Sequence, residues 1–157
     1  TTGFQNAKNR PLRRHEDICV FSKAKSTYNP IMEVRGKPRK KGGKRDDKGC
    51  YNPIAEHETF NNEYYPTSII TISNASKKGI IHPTQKPVAL FEYLIRTYSD
   101  EGALVLDNCS GSGTTAIACM ETNRKWLCIE RDEAYFAQSR ERIEAFKTDY
   151  SDDLPPA

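Results

Sequence analysis

Two short apolar runs, each followed by an acidic residue, constrain the fold of this chain more than any other feature. The first run covers residues 103–106 and is followed by Asp107; the second covers residues 125–129 and is followed by Glu130. Apolar runs of this length, bounded by turn residues, are typical of buried parallel strands. Residues 114–121, between the two runs, suit one short helix. This order predicts half of a nucleotide-binding α/β unit.

The loop after Asp107 carries Gly111 and Gly113 among small residues. Glycine at a strand-to-helix turn lets the backbone approach a ligand and adopt a positive φ. The pattern is Asp-x-x-x-Gly-x-Gly, which is neither the dinucleotide fingerprint nor a Walker loop with its Lys-Ser/Thr. An acid in the loop disfavours a phosphate and favours an amine, while Glu130 could accept hydrogen bonds from ribose hydroxyls. We therefore expect S-adenosylmethionine as cofactor; an ordinary Gly/Ser turn is the alternative.

Composition favours one domain of an intracellular protein. The chain has 157 residues, 36% of them hydrophobic, and a formal net charge of +3, which is compatible with a nucleic-acid partner. No apolar run approaches 18 residues, so we expect a soluble protein with no membrane partner. The five cysteines lack CxxC spacing and indicate reduced thiols. No metal is expected, although a zinc site using His15, Cys19, Cys50 and His57 is conceivable.

The amino-terminal part contains one candidate strand. Residues 18–21 are apolar and predict a short buried strand, so the chain would start in the middle of a sheet. His15 and Glu16 precede this strand. A structural hydrogen-bonding role at the strand entrance is favoured over a catalytic one for both residues.

Residues 24–78 form a basic segment punctuated by glycine and proline. Such a run cannot bury a core, and it is either a solvated loop or a phosphate-binding arm. Aromatic residues flank it, which suits contact with DNA backbone and bases. Tyr-Asn-Pro-Ile occurs at 28–31 and 51–54 and suggests two similar extended edges; a short strand is expected at 66–73. The candidate DNA-binding residues are Arg35, Lys37, Arg39, Lys40, Lys41, Lys44 and Arg45.

Two helices frame the apolar runs. Pro87 suits the first turn of a helix with an apolar stripe that continues to Tyr98, and residues 82–86 form a polar lip before it. This lip is either a seat for a carboxylate at a helix N-terminus or a simple turn. Asp132 suits the N-cap of a last helix ending near Lys147, with a frayed tail after it.

Three motifs in this order resemble the DNA amino-methyltransferases. They are HPTQKP at 82–87, LDNCSGSGTT at 106–115 and IERD at 129–132. Their order is similar to that of the permuted (β) group, and residues 13–21 resemble a late strand of that group's catalytic half. The resemblance implies an α/β, Rossmann-like methyltransferase fold with a partial sheet and an inserted irregular target-recognition segment. The implied divisions are 1–23 (end of the catalytic subdomain), 24–78 (recognition segment), 79–147 (cofactor subdomain) and 148–157 (flexible tail).

The resemblance also implies roles for matching residues. Asp107 would face the methionine amino group, and Glu130 would hold the ribose hydroxyls, with Arg131 near the adenine. Thr84 and Lys86 would approach the methionine carboxylate. Asn108 and Cys109 stand where proline and phenylalanine are common in the family. The aromatic side chain that usually lies beside the cofactor in the family is therefore not expected at these positions. The implied cofactor-binding residues are Thr84, Lys86, Asp107, Ser110, Gly111, Ser112, Gly113, Thr114, Glu130 and Arg131.

The implied activity is site-specific methylation of double-stranded DNA at an exocyclic amino group, adenine N6 being favoured over cytosine N4. The family's catalytic tetrapeptide, with Pro-Pro before an aromatic residue, does not occur in the sequence, so no catalytic residue is assigned. In the permuted order it lies upstream, so we expect the carboxy-terminal part of a cytoplasmic bacterial or phage-type enzyme. This part would be inactive alone and would need a missing catalytic half or second subunit. The alternatives are a non-catalytic DNA-binding accessory subunit and an unrelated α/β enzyme with a small substrate.

Overall fold

The computed structural model describes residues 15–42, 58–73 and 80–152. These residues form two groups of elements: an antiparallel pair of strands and an α/β unit with a parallel pair. The elements in chain order are β1 (Glu33–Gly42), β2 (Glu58–Tyr64), α1 (Val88–Tyr98), β3 (Leu104–Asp107), α2 (Thr114–Glu121), β4 (Lys125–Cys128) and α3 (Glu133–Asp152).

The α/β unit follows the predicted order of strand, glycine loop, helix and strand. β3 and β4 pair in parallel, with Leu104 opposite Lys125 and Asp107 opposite Cys128. α2 covers the eight residues predicted for it, and the turn after it contains Asn123 at a φ of 56°. This arrangement is a mixed α/β fold of the Rossmann-like type with a partial sheet.

The core of the unit surrounds α2. Its small residues Ala116, Ala118 and Cys119 are completely buried, and this small size lets α1, α3 and the sheet approach closely. Ile95 of α1 packs on one side of α2 and Ile143 of α3 on the other. Burying this one short helix therefore holds three layers together.

The cysteines divide between core and surface. Burial raises the pKa of Cys119 and of Cys128 to about 11, so both stay protonated thiols at neutral pH. Cys109, in the glycine loop, is exposed, and so is Cys19 near the amino terminus.

A buried arginine joins the carboxyl ends of two helices. Arg124 donates from Nη2 to the carbonyl oxygen of Ser99 at 2.8 Å and from Nη1 to that of Thr122. Ser99 and Thr122 are the C-caps of α1 and α2. The guanidinium thus offsets the partial negative charge at both helix ends.

The prediction that both parallel strands are buried was wrong for one face of the sheet. Leu104, Leu106 and Leu127 are more than half exposed, whereas Val105 and Trp126 pack on the helical core. Within the described residues the helices that contact the sheet cover one face only, so every second strand residue stays open to solvent.

The expected strands at 18–21 and 66–73 are also absent from the structure. Residues 18–21 are not paired with another strand, and Phe21 is 90% exposed. Residues 66–73 have no regular structure. An apolar or alternating run forms a strand only when it pairs with another strand, and neither run pairs with one in the described residues.

The basic segment, by contrast, is more regular than expected. β1 and β2 pair in antiparallel fashion, and this pair is called the basic ribbon below. The first Tyr-Asn-Pro-Ile copy is not a strand edge, because Asn29 donates its backbone N–H to the Thr97 oxygen at 2.7 Å, at the end of α1. The second copy, at 51–54, lies outside the described residues.

α3 begins as predicted and ends later. Asp132 accepts a hydrogen bond of 3.0 Å from the Tyr135 N–H, which is an N-cap contact. The helix continues to Asp152, five residues beyond Lys147. Residues 153–157 lie outside the described part.

No helix in the described part combines the length and apolar content that a bilayer crossing needs. Among the same residues, no group of three or more His, Cys, Asp or Glu side chains is arranged to hold a metal ion. Cys50 and His57 of the conceivable zinc set lie outside them.

Candidate functional site

Two acidic residues follow the carboxyl ends of the parallel strands. Asp107 is the last residue of β3, and Glu130 comes two residues after β4. Because β3 and β4 run in parallel, both acids lie at the same edge of the sheet. Ligands of open α/β sheets bind in the crevice at this edge.

The glycine loop between the acids requires its glycines. Gly111 has a φ of 50° and Gly113 a φ of 72°, a region that other residues rarely adopt. A Cβ atom at Gly113 would lie 3.0 Å from Cδ1 of Ile143 on α3, so the close packing of α3 against the loop also requires glycine at position 113. The loop is therefore fixed by backbone conformation and by the close approach of a helix.

Glu130 is bound directly to this loop. Its Oε2 accepts a hydrogen bond of 2.7 Å from the Gly111 N–H, and its Oε1 accepts one of 2.9 Å from the Asp132 N–H. These backbone donors lower the pKa of Glu130, so the carboxylate is ionised at neutral pH. A carboxylate has about four acceptor positions, which leaves room for ligand hydroxyls.

Asp107 holds the other end of the loop. Its Oδ1 accepts from the Cys109 N–H at 3.0 Å, and its Oδ2 accepts from the Thr115 hydroxyl. The carboxylate thus connects the end of β3 with the first turn of α2. It retains acceptor positions that could bind an amine.

Ser112 and Thr114, two of the predicted cofactor-binding residues, are buried. Each is 4% exposed, and their hydroxyl oxygens lie 3.1 Å apart. Arg142 of α3 donates from Nη1 to the backbone carbonyl oxygen of Ser112 at 2.9 Å and to Thr114 Oγ1 at 3.1 Å. Burial lowers the pKa of this guanidinium. Arg142 was not among the predicted site residues, because nothing in a helix rich in charged residues distinguishes it.

The polar lip lies against the glycine loop. The His82 ring is 3.5 Å from the position of a Cβ at Gly111, and it packs edge-on against Tyr135 with ring centres 4.3 Å apart. His82 Nδ1 lies 3.0 Å from the Thr84 hydroxyl. The lip and loop are therefore adjacent, as a shared site requires. His82 and Tyr135 were not among the predicted site residues.

Lys86 of the lip forms an ion pair. Its Nζ lies 2.5 Å from Oε2 of Glu16, seventy positions earlier in the chain. The contact of Glu16 is therefore with Lys86, the lysine predicted to bind a ligand carboxylate, and the strand at whose entrance Glu16 was expected is absent. Arg131 is exposed beyond Glu130, and Ser110 donates its N–H to the Ile129 oxygen at 3.0 Å.

The basic ribbon forms a second cluster. Five of the predicted DNA-binding residues lie on β1: Arg35, Lys37, Arg39, Lys40 and Lys41. Lys44 and Arg45 lie outside the described residues. Tyr64 of β2 contacts several of these cations, and Arg39 Nε donates to its hydroxyl oxygen at 2.7 Å. Tyr64 is one of the aromatic residues expected to flank the basic segment, but sequence spacing does not show which of them faces β1.

A protein-family model described as DNA methylase matches residues 1–141. The chain is 32% identical over 132 residues to the type II methyltransferase M.HpaI of Haemophilus parainfluenzae, a match covering 84% of this chain and 39% of that protein. It is 31% identical over 142 residues to the type II methyltransferase M.SmaI of Serratia marcescens, covering 88% and 41%. The chain therefore spans about two-fifths of the length of these relatives.

Two solved structures are also similar over part of the chain. M1.HpyAVI in complex with SAM is 40% identical over a match covering 40% of this chain and 32% of that one, with a TM-score of 0.38. The PvuII DNA methyltransferase, described as cytosine-N4-specific, is 26% identical over 52% of this chain and 35% of that one, with a TM-score of 0.41. The family-model match covers most of this chain, residues 1–141.

Proposed function

This chain belongs to the DNA methylase family of the N6/N4 type, and from that membership we propose that it binds the cofactor and contacts the target in a site-specific DNA methyltransferase. The reaction is transfer of a methyl group from S-adenosylmethionine to an exocyclic amino group of a base in double-stranded DNA. One observation carries the proposal: two ionisable acids and a glycine loop meet at the carboxyl edge of a parallel strand pair.

The residues at this edge fit S-adenosylmethionine. Glu130, held ionised by two backbone N–H groups, would accept hydrogen bonds from the ribose hydroxyls, and Arg131 beyond it would lie near the adenine. Asp107 would accept a hydrogen bond from the methionine amino group. Gly111 and Gly113 would let the backbone approach the ligand. When bound, the cofactor supplies a methyl group on a positively charged sulfur.

The lip completes the proposed cofactor site. Lys86 and Thr84 would bind the methionine carboxylate, and the existing ion pair supports this role because Lys86 already holds the carboxylate of Glu16. Cofactor binding would then exchange one carboxylate for another. Both partners of this ion pair are partly exposed, so the exchange costs little.

The basic ribbon would contact the DNA. Its cations would release counterions from the phosphate backbone on binding, which gives affinity without sequence information. The description of the matching family, DNA methylase, supports DNA as the substrate class. Adenine N6 is the first expectation for the modified position and cytosine N4 the second.

Catalysis needs a group that the family draws from its Pro-Pro-aromatic tetrapeptide. These 157 residues do not contain it. We therefore assign no catalytic residue here, and we propose that the tetrapeptide comes from another segment or subunit. Without it the chain should bind cofactor and DNA but not transfer the methyl group.

Calorimetric titration with S-adenosylmethionine tests the cofactor site. Gly111→Leu should abolish saturable binding, because a side chain at a positive φ distorts the loop next to His82. Gly102→Leu is the matched control: Gly102 also has a positive φ, of 75°, but lies in an open turn before β3. Retained binding by the Gly111 variant, or equal losses in both variants, would place the cofactor elsewhere.

A further inference from the structure

The basic ribbon contains a cavity that the proposed cofactor site does not use. The cavity has a volume of about 340 Å³ and is lined by Arg35, Gly36, Lys37, Arg39 and Tyr64. Three of these five residues are cationic, and acidic residues are not among the lining. A cavity of this composition favours an anion.

An irregularity in β1 creates the cavity. Val34 pairs with Glu63 and Arg39 with Asn61, so residues 35–38 lie opposite the single residue Asn62. Asn62 donates from Nδ2 to the Gly36 oxygen at 2.9 Å, and Gly36 has a φ of 60°. The bulge is thus held by a specific side-chain hydrogen bond and by a glycine-type backbone, which re-aims the side chains beside it.

Three cations converge on the ring of Tyr64. The guanidinium carbons of Arg35 and Arg39 each lie 5.6 Å from the ring centre, and Lys41 Nζ lies 3.5 Å from it. The ring attracts each cation through its negative face, but the cations repel one another. Glu33, paired with Arg35, is one acid that contacts this group. A bound anion would relieve the remaining repulsion.

We propose that this cavity is a seat for one backbone phosphate of duplex DNA, with Tyr64 as the positioning residue for Arg35 and Arg39, the two lining cations that contact its ring. The Tyr64 hydroxyl fixes the Arg39 guanidinium, and the Tyr64 ring and the Glu33 carboxylate hold Arg35 beside it. Two cations in fixed geometry suit phosphate oxygens better than mobile side chains do. The choice of DNA as ligand rests on the proposed function, whereas the cavity itself rests on the ribbon alone.

The salt dependence of duplex DNA binding by the whole chain tests this seat. Arg39→Gln should weaken binding about five- to tenfold and reduce the slope of log affinity against log salt by about one. Lys25→Gln removes the same charge from an exposed position outside the ribbon and should change the affinity less than about twofold. Equal effects of the two variants would overturn the seat, because they would reflect net charge alone.

Tyr64→Leu tests the positioning role without any change of charge. Losing the ring and hydroxyl should weaken DNA binding about threefold, since Arg35 and Arg39 lose their common support. Tyr64→Phe, which keeps the ring, should restore part of this loss. Unchanged binding by Tyr64→Leu would overturn the role of Tyr64.

Titration of the same variants with S-adenosylmethionine separates this inference from the proposed function. Cofactor binding should be equal in all of them and shows that the α/β unit is folded. If the chain binds cofactor but Arg39→Gln and Lys25→Gln change DNA affinity and its salt dependence equally, the phosphate seat alone is wrong. If the parent chain binds no cofactor but the ribbon variants differ as expected, the seat stands and the cofactor proposal fails.

Discussion

The Glu130 carboxylate accepts a hydrogen bond of 2.7 Å from the Gly111 N–H, nineteen positions earlier in the chain. The acid after β4 therefore fixes the loop after β3. The same carboxylate is the proposed ribose acceptor, so one group would both shape the site and bind the ligand. Changing it should affect cofactor binding more than a change at any residue with only one of these roles.

Glu130→Gln should weaken S-adenosylmethionine binding about tenfold, because a neutral amide accepts weaker hydrogen bonds than a carboxylate. Calorimetric titration measures the dissociation constant. Glu133→Gln, an exposed residue in the first turn of α3, is the control and should leave it unchanged. Equal affinity of the parent and Glu130→Gln would remove Glu130 from the site.

The pH dependence of the same contact has a defined sign. The Asp132 and Gly111 N–H groups lower the pKa of Glu130 below its ordinary value of 4.5. The contribution of the carboxylate to the loop is then fully present above that ordinary value and is lost as the pH falls through the lowered one. Cofactor affinity should therefore be constant between pH 8 and 6 as far as Glu130 is concerned.

Arg142→Met should destabilise the glycine loop, because the Ser112 oxygen loses a charge-assisted donor at 2.9 Å. We expect a loss of about 1 to 2 kcal/mol in the free energy of unfolding, together with weaker cofactor binding. Urea denaturation and calorimetry measure the two effects. Arg140→Met, on the exposed side of α3, should show neither effect. Equal losses of stability and cofactor binding in the two variants would contradict the supporting role of Arg142.

Glu16→Gln tests the proposed exchange of carboxylates at Lys86. Removing the competing charge should tighten S-adenosylmethionine binding about two- to threefold, because an exposed ion pair is weak. Asp17→Asn removes a charge from the neighbouring residue and should have no such effect. Lys86→Gln should weaken binding instead. Tighter binding in both acid variants would point to general electrostatics and not to Lys86.

Glu121 should make the stability of the α/β unit depend on pH. Its pKa is raised from 4.5 to about 7. The largest cause is burial, followed by a hydrogen bond with Glu92 and by charge repulsion from Glu92. The folded state thus binds more protons than the unfolded state between these values, so stability falls as the pH rises from 4.5 to 7. Glu121→Gln should remove this dependence and add about 1 kcal/mol at pH 8, after allowing for solvent screening.

Urea denaturation at pH 5 and pH 8 measures the effect. The parent should be less stable at pH 8 than at pH 5 by an amount that the Glu121 variant lacks. Glu101→Gln, in the exposed turn after α1, is the control and should keep the parent's dependence. An identical pH profile for the parent and Glu121→Gln would mean that the two carboxylates do not share a proton.

The sequence predicted the elements of the α/β unit well, because their signals are local. Strand and helix limits around Asp107, Thr114 and Glu130 follow from apolar runs, glycine spacing and terminal acids, each read over a few residues. The cap at Asp132 is local in the same way. The apolar residues 18–21 gave an equally good local signal but no strand, since a strand also needs a partner edge.

The amino-acid sequence by itself determined the order of elements in the α/β unit, the positive φ of Gly111 and Gly113, and the family, all of which depend on residues close together in the chain. Only the tertiary structure decided that Arg142 supports the loop, that Glu16 pairs with Lys86 and that Tyr64 gathers the cations of β1. Each of these contacts joins residues more than twenty positions apart. Their geometry depends on how helices and strands pack, and local propensity carries no record of that packing.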